Sequence, residues 1–188
     1  MRRISAHFAL SPDHRFLHMP VLQLDNDNHV VGLHEAGASF TETAGVEFYN
    51  GLIIPGLIGV LPQSKLQDSA FQSRMCRNGV LFLLSLTNVT IRSASGYPVV
   101  IEKSLEDSDL NCDDDCFVWE KLMERLKQGE RVDASAWLLE YLIQPWAKSG
   151  CAVGGAFVEG KRPGVLQITG MDWQTMQFTD KTQLRLIL

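Results

Sequence analysis

Gly51-Leu52-Ile53-Ile54-Pro55-Gly56-Leu57-Ile58 is the stretch of sequence on which the fold assignment depends. Its first half has the unbroken apolar character of a strand that is buried in a sheet. Three shorter runs precede it, separated by clusters of turn-forming residues, at residues 4–10, 21–24 and 29–34. The second and third runs are expected to form a hairpin. The first part of the chain is therefore predicted to be mainly β.

In the middle of the chain, the spacing of the apolar residues is typical of a helix in some segments and of a strand in others. Residues 65–77 predict a helix that ends at residues 78–79, where a glycine allows a positive φ. Residues 80–86 then predict a strand that is buried on both faces. Residues 102–120 are rich in carboxylates and are expected to form a solvated loop.

Two further helices and a return to strand are expected after this loop. Asp115 is placed to cap the first helix and Asp133 the second. Pro145 lacks an N–H group, so the second helix should end, or a new turn should begin, near residue 144. Strands are predicted at residues 97–102, 165–169 and 183–188.

Composition limits the classes of protein that fit this chain. Its 188 residues suit one compact domain, or one domain with a dependent lobe. The net charge of −5 and the absence of a basic stripe exclude nucleic acid as an expected partner. The most apolar run, residues 80–86, is far shorter than the roughly 20 residues of a membrane span, and no leader pattern is recognised at the N-terminus. We therefore expect no membrane partner, reduced cysteines and a cytoplasmic location.

Two flanking regions carry a recognisable signature. At the N-terminal side it consists of Arg3-Ile4-Ser5-Ala6, of residues 21–25 and of residues 51–58. At the C-terminal side it consists of residues 155–166, which contain Gly160-Lys161-Arg162-Pro163-Gly164. Together these segments resemble the flanks of the metal-dependent amidohydrolase family, which includes the chlorohydrolases, guanine deaminase and dihydroorotase-like enzymes.

The resemblance implies an α+β fold class. Residues 1–59 and 156–188 would form a β-sandwich-like composite domain, and residues 60–155 a residual small α/β lobe. In the family a catalytic barrel lies between the two flanks. Here residues 57–159 supply about half of the roughly 200 residues that the smallest barrels need. The barrel is therefore expected to be largely deleted.

The resemblance also indicates where catalytic residues should lie. The family carries His-x-His shortly after Pro-Gly, because two neutral imidazoles at alternate positions of a strand end can face one metal ion. The corresponding residues here are Leu61 and Gln63. Leucine has no lone pair to offer a metal ion, and the neutral amide of glutamine is a weak ligand for zinc. Asp107 and Asp109 are candidate relics of the family's metal-binding aspartate, yet every histidine lies before residue 35. No catalytic residue, metal or cofactor is therefore expected.

A non-catalytic remnant that acts by self-association or by binding another protein is the favoured function. A shortened barrel would leave strands such as residues 80–86 with unpaired edges and uncovered apolar faces. Either the lobe packs on the β domain or a homodimer covers those faces. Two alternatives stay open. One is a metal-dependent hydrolase acting on C–N bonds that needs a partner subunit, and the other is a small-molecule binding module.

Other candidate residues favour structural roles over chemical ones. His14 and His18 have the spacing of a metal pair, but prolines bracket them and a surface loop is expected. His29 and His34 should lie on opposite faces of a strand. Cys112 and Cys116 stand among aspartates, which favours a solvated loop over a reactive thiol. The aromatic residues that could line a ligand groove are expected in the core instead: Phe117, Trp119, Trp137, Tyr141, Trp146 and Trp173.

Overall fold

The structure is a computed structural model that describes residues 1–36, 45–60, 65, 68–85, 99–102, 117–150 and 155–188. The strands are β1 (Arg2–Leu10), β2 (Phe16–His18), β3 (Pro20–Leu24), β4 (Val30–Glu35), β5 (Val46–Ile54), β6 (Leu57–Val60), β7 (Val80–Ser85), β8 (Val99–Glu102), β9 (Val132–Asp133), β10 (Leu166–Thr169), β11 (Gln177–Phe178) and β12 (Gln183–Leu186). The helices are α1 (Ser69–Arg77), α2 (Val118–Lys127), α3 (Ala134–Leu138) and α4 (Gln144–Ser149).

Seven strands form one open, mixed sheet that contains both ends of the described chain. Their order is β12-β10-β5-β1-β3-β4, and β2 pairs with the second half of β1. β1 and β5 run parallel, whereas the other neighbouring strands are antiparallel. The predicted hairpin is confirmed as β3 and β4, with Val21 opposite His34.

Residues 51–58 carry the chain from this sheet into a second one, because they contain the end of β5, a short turn and the start of β6. Gly51 has a φ of 111°, and a Cβ atom there would lie 2.1 Å from the carbonyl oxygen of Ile168 in β10. Glycine is therefore what lets β5 and β10 approach each other. The turn is held where the N–H of Gly56 donates to the carbonyl of Pro163 at 2.9 Å.

The second sheet is parallel and consists of β6, β7 and β8. The chain passes through α1 between the first two of these strands. The apolar side chains of β6 and of residues 80–84 expose at most 4% of their surface. Burial on both faces is typical of parallel strands and explains the unbroken apolar sequence. The chain is mixed α/β and rich in sheet, which confirms the expected mixture of helix and sheet.

One hydrophobic core joins the two sheets. Leu10, Leu52 and Ile168 of the large sheet belong to the same buried cluster as β6, β7 and the apolar faces of the helices. A second cluster uses the alternate residues of the large sheet, such as Ile53, and is closed by Phe157. Packing on the large sheet was one of two outcomes expected for residues 80–86. It is the outcome seen for residues 80–84, so their apolar faces are covered without a second copy.

Side-chain caps set the starts of α1 and α3. Asp68 accepts a hydrogen bond from the N–H of Phe71 at 2.9 Å, so α1 begins at Ser69 and not at residue 65 as predicted. Asp133 accepts from the N–H of Ala136 at 2.8 Å, which confirms its predicted role as the cap of α3.

Pro145 changes the helical path without ending it. α3 continues into a π-helical turn at Leu139–Ile143, and α4 then begins with Pro145 in its first turn. A proline is tolerated there because the first N–H groups of a helix have no partner within it. The new turn expected near residue 144 is therefore confirmed.

The capping role predicted for Asp115 at the start of α2 stays a prediction. The N-cap residue of α2 is Phe117, which makes no side-chain capping bond, and Asp115 lies outside the described residues. α2 contains 10 residues. Among the residues described, no helix combines the length and the apolar character that a membrane crossing requires.

Candidate functional site

The expected site lies where β6, β7 and β8 end, because parallel strands present reacting groups at their carboxyl ends. These ends are adjacent, since Val60 pairs with Leu84 and Ser85 pairs with Glu102. The candidate residues of the sequence follow these strands. All of them lie outside the described part of the chain: Leu61, Gln63, Asp107, Asp109, Cys112 and Cys116.

All five histidines lie in the seven-stranded sheet or in its turns. His7, His18 and His34 are in β1, β2 and β4, whereas His14 and His29 are in the turns that precede β2 and β4. The sequence has no other histidine. The segments that follow β6, β7 and β8 therefore contain no imidazole that could replace the His-x-His pair.

Two of these histidines differ from their predicted placement. His18 belongs to a strand and not to a loop, and its ring meets the edge of Phe8 at a centroid distance of 5.4 Å. His29 precedes β4 and does not lie in it, so the prediction that it faces away from His34 within one strand is wrong. The reason is a tight turn at residues 25–29.

The turn before β4 is built by one carboxylate. Asp25 Oδ1 accepts hydrogen bonds from the backbone N–H groups of Asp27, at 2.9 Å, and of His29, at 2.8 Å. These bonds bend the chain between β3 and β4 in the manner that aspartate favours in turns. They also bring Asp25 Oδ2 to 3.4 Å from His29 Nδ1.

Asp25, Asp27 and His29 are a set of possible metal ligands, here termed the Asp25–His29 turn. One donor atom of each lies within 4.8 Å of the other two. The hydrogen bond from the backbone N–H of His29 is the main cause that lowers the pKa of Asp25. This set is not predicted from the sequence, where histidines were considered as metal ligands only in pairs. The pattern Asp-x-Asp-x-His across a turn was the signal that could have found it.

The aromatic residues are mostly core residues, as predicted. Trp119, Trp137 and Phe178 meet edge to face in one cluster, and Trp146 is buried as well. Trp146 Nε1 donates to the carbonyl of Gly56 at 3.0 Å, so its one polar atom is satisfied. Three of the four tryptophans are therefore buried in the core. This does not support the alternative in which these rings line a small-molecule site.

Arg74 and Glu120 join α1 to α2. Arg74 Nε donates to Glu120 Oε1 at 3.0 Å, and its guanidinium lies 4.0 Å from the ring centre of Phe117. Asn78 Nδ2 donates to the same carboxylate at 2.8 Å. The hydrogen bond from Arg74 is the main cause that lowers the pKa of Glu120. This cluster holds two helices together, which is a structural role.

An open groove of about 710 Å³ lies between the end of α2 and the segment that contains β11. Its lining includes two cationic residues, Lys127 and Arg131, and two aspartates, Asp172 and Asp180. The antiparallel pairing of β9 with β11 brings these distant parts of the sequence together. No element is predicted at residues 171–178, so the groove could not be inferred from the sequence.

Comparison with known proteins yields partial likenesses only. No family model matches the chain, and no curated protein matches it. Solved structures with similar regions include a deacetylase, an amidohydrolase and a deaminase. The N-acetyl-D-glucosamine-6-phosphate deacetylase of Mycobacterium smegmatis is 12% identical with a TM-score of 0.36, over 45% of this chain and 26% of that one.

Two further structures match over larger parts of the chain. An amidohydrolase is 15% identical with a TM-score of 0.40, over 59% of this chain and 35% of its own. The aminofutalosine deaminase of Helicobacter pylori is 12% identical with a TM-score of 0.39, over 69% and 39% of the two chains. This chain therefore spans between about a quarter and two fifths of the structures that it matches. Their activities and substrates are properties of those proteins.

Proposed function

We propose that this chain is an amidohydrolase-like protein that lacks the family's metal chemistry and acts by binding, either to a second copy of itself or to another protein. In this proposal residues 1–59 and 156–188 form the β-sandwich-like composite domain, and residues 60–155 are the truncated barrel. The pairing of β10 and β12 with the sheet of β1 and β5 supports the first part.

The placement of the histidines carries the proposal. All five lie in the large sheet and its turns, and the segments after β6, β7 and β8 contain none. A hydrolytic zinc ion needs three protein ligands of nitrogen, sulfur or carboxylate type and an open position for water. Leu61 and Gln63 stand where the family resemblance puts the first two ligands. Neither can provide the imidazole that such a site uses.

A turnover assay tests the proposal that this chain has no metal-dependent hydrolase activity. Untagged protein would be stripped of metal, reloaded with zinc, iron or manganese, and offered cyclic amides, amidines and aminated bases. The expected result is hydrolysis at the rate of the buffer with the same metal. Metal-dependent turnover that falls in the Asp107→Asn or Asp109→Asn variant would contradict the proposal. Turnover by a complex purified under mild conditions would favour the hydrolase with a partner subunit.

Light scattering tests the self-association part. The mass of the untagged chain would be measured after gel filtration over a wide range of concentrations. A dimer mass that persists on dilution is expected if the partner is a second copy. A monomer at every concentration would contradict self-association and leave another protein as the proposed partner.

A further inference from the structure

We propose that the Asp25–His29 turn binds one divalent transition-metal ion of the zinc, nickel or copper class. The ligands would be one carboxylate oxygen each of Asp25 and Asp27 and the Nδ1 atom of His29. This site lies in the hairpin of β3 and β4. It does not rest on the proposed function, and it supplies no catalytic step.

The spacing of the donor atoms is that of two ligands on one tetrahedral ion. Asp25 Oδ2 and His29 Nδ1 are 3.4 Å apart. A normal N–H···O bond is about 2.7–3.2 Å long. Two ligand atoms that each lie about 2.0–2.1 Å from a tetrahedral ion are roughly 3.3 Å apart. The Asp27 carboxylate completes a set of three whose members lie within 4.8 Å of one another.

The turn holds its ligands in place before an ion arrives. Asp25 uses Oδ1 for the two backbone N–H groups, which leaves Oδ2 directed at the imidazole. The N–H of Asp25 donates to the carbonyl of His29 at 3.0 Å and closes the turn. The N–H of Val30 donates to the carbonyl of Lys161 at 2.8 Å and anchors the turn to the rest of the chain. Ordering of Asp25 and His29 therefore costs little on binding.

The ligand types select the class of ion. An imidazole with two carboxylates suits zinc, nickel and copper, whereas calcium takes six to eight oxygen ligands. The two carboxylates balance the charge of a divalent ion. The nearby ammonium group of Met1 donates to the amide oxygen of Asn26 at 2.8 Å and is thus held by a neutral group. Asp25 and His29 are about half exposed, so water can fill the remaining coordination positions.

Calorimetric titration of the untagged chain with zinc, nickel and calcium chloride tests the proposal. We expect one equivalent of zinc or nickel to bind and calcium not to compete. His29→Gln and Asp27→Asn should each weaken zinc binding by at least about tenfold, because each removes one ligand. His34→Gln removes an exposed histidine of β4 outside the set and is the matched control, with affinity unchanged.

Two further readouts separate a lost ligand from a lost fold. Thermal unfolding should show that zinc raises the Tm of the native chain and of His34→Gln, but not that of His29→Gln. Paramagnetic nickel should broaden the ring signals of His29 before those of the other histidines. Absence of binding, or equal binding by the native chain and both ligand variants, would overturn the proposal. Either result leaves the turnover assay of the proposed function unaffected.

Discussion

The side-chain amide of Asn78 makes two hydrogen bonds to Glu120, one through its nitrogen and one through its oxygen. Asn78 Nδ2 donates to the carboxylate of Glu120 at 2.8 Å, and Asn78 Oδ1 accepts from the backbone N–H of the same residue at 2.8 Å. The first residue ends α1 and the second lies in the first turn of α2. Asn78, at the end of α1, therefore caps α2 by accepting a hydrogen bond from an N–H group of its first turn, which has no partner within the helix.

Asn78→Ala is expected to destabilise the chain by about 1–3 kcal/mol, because Asn78 is buried and its loss leaves the N–H of Glu120 without its partner and removes one donor from the Glu120 carboxylate. Urea unfolding would measure the free energy. Ser135→Ala, at an exposed position of α3, is the control and should change it by less than about 0.5 kcal/mol. A cost for Asn78→Ala no larger than that of the control would show that the amide does not cap α2.

Gly51→Ala should cost about 3 kcal/mol or more. The new Cβ atom would lie 2.1 Å from a backbone oxygen of β10, and the residue would keep a φ of 111° that alanine disfavours. Gly32→Ala is the matched control, because a Cβ atom at residue 32 of β4 meets nothing within 4 Å. Denaturant unfolding of both variants would compare them. A Gly51→Ala variant as stable as Gly32→Ala would contradict the described pairing of β5 with β10.

The pair of Arg74 and Glu120 predicts a dependence of stability on pH. The pKa of Glu120 is lowered below its ordinary value of 4.5, first by the hydrogen bond from Arg74. A carboxylate with a lowered pKa in the folded state stabilises the fold above its unfolded pKa. That stability is lost as the pH falls through the folded value. In Glu120→Gln the unfolding free energy should therefore fall less steeply on acidification below pH 4.5.

The control for this prediction is the double variant. In an Arg74→Gln background the same change at Glu120 should alter the acid slope less, because the main cause of the lowered pKa is already gone. Chemical unfolding at a series of pH values provides the slopes. Equal effects of Glu120→Gln with and without Arg74 would contradict Arg74 as the main cause of the lowered pKa of Glu120.

The apolar pattern predicted much of the fold because burial repeats with the period of each element. The second half of β5 and all of β7 follow from apolar runs, and the β3–β4 hairpin follows from two short runs on either side of an Asp/Asn cluster. The caps at Asp133 and at residues 78–79 depend on local geometry alone. Such features are encoded within a few residues and are accessible from one sequence.

Pairing between distant segments was not accessible in the same way. The sequence of β1 does not predict that β5 pairs with it in parallel. Likewise, the sequence around Asn78 does not predict that this residue caps a helix more than forty residues later. The groove beside α2 exists because β9 pairs with β11. The Asp25–His29 turn was missed for another reason, since each of its residues is also an ordinary turn residue. Only the distances between donor atoms distinguish it.

The central claim is that no hydrolytic metal is held where β6, β7 and β8 end. Anomalous diffraction from crystals of the Asp27→Asn/His29→Gln double variant grown with zinc tests it most directly, because the proposed surface site is then removed. The claim predicts no ordered zinc ion beside these strand ends. A fully occupied ion there, at about 2.0–2.3 Å from side chains of residues 57–159, would contradict it.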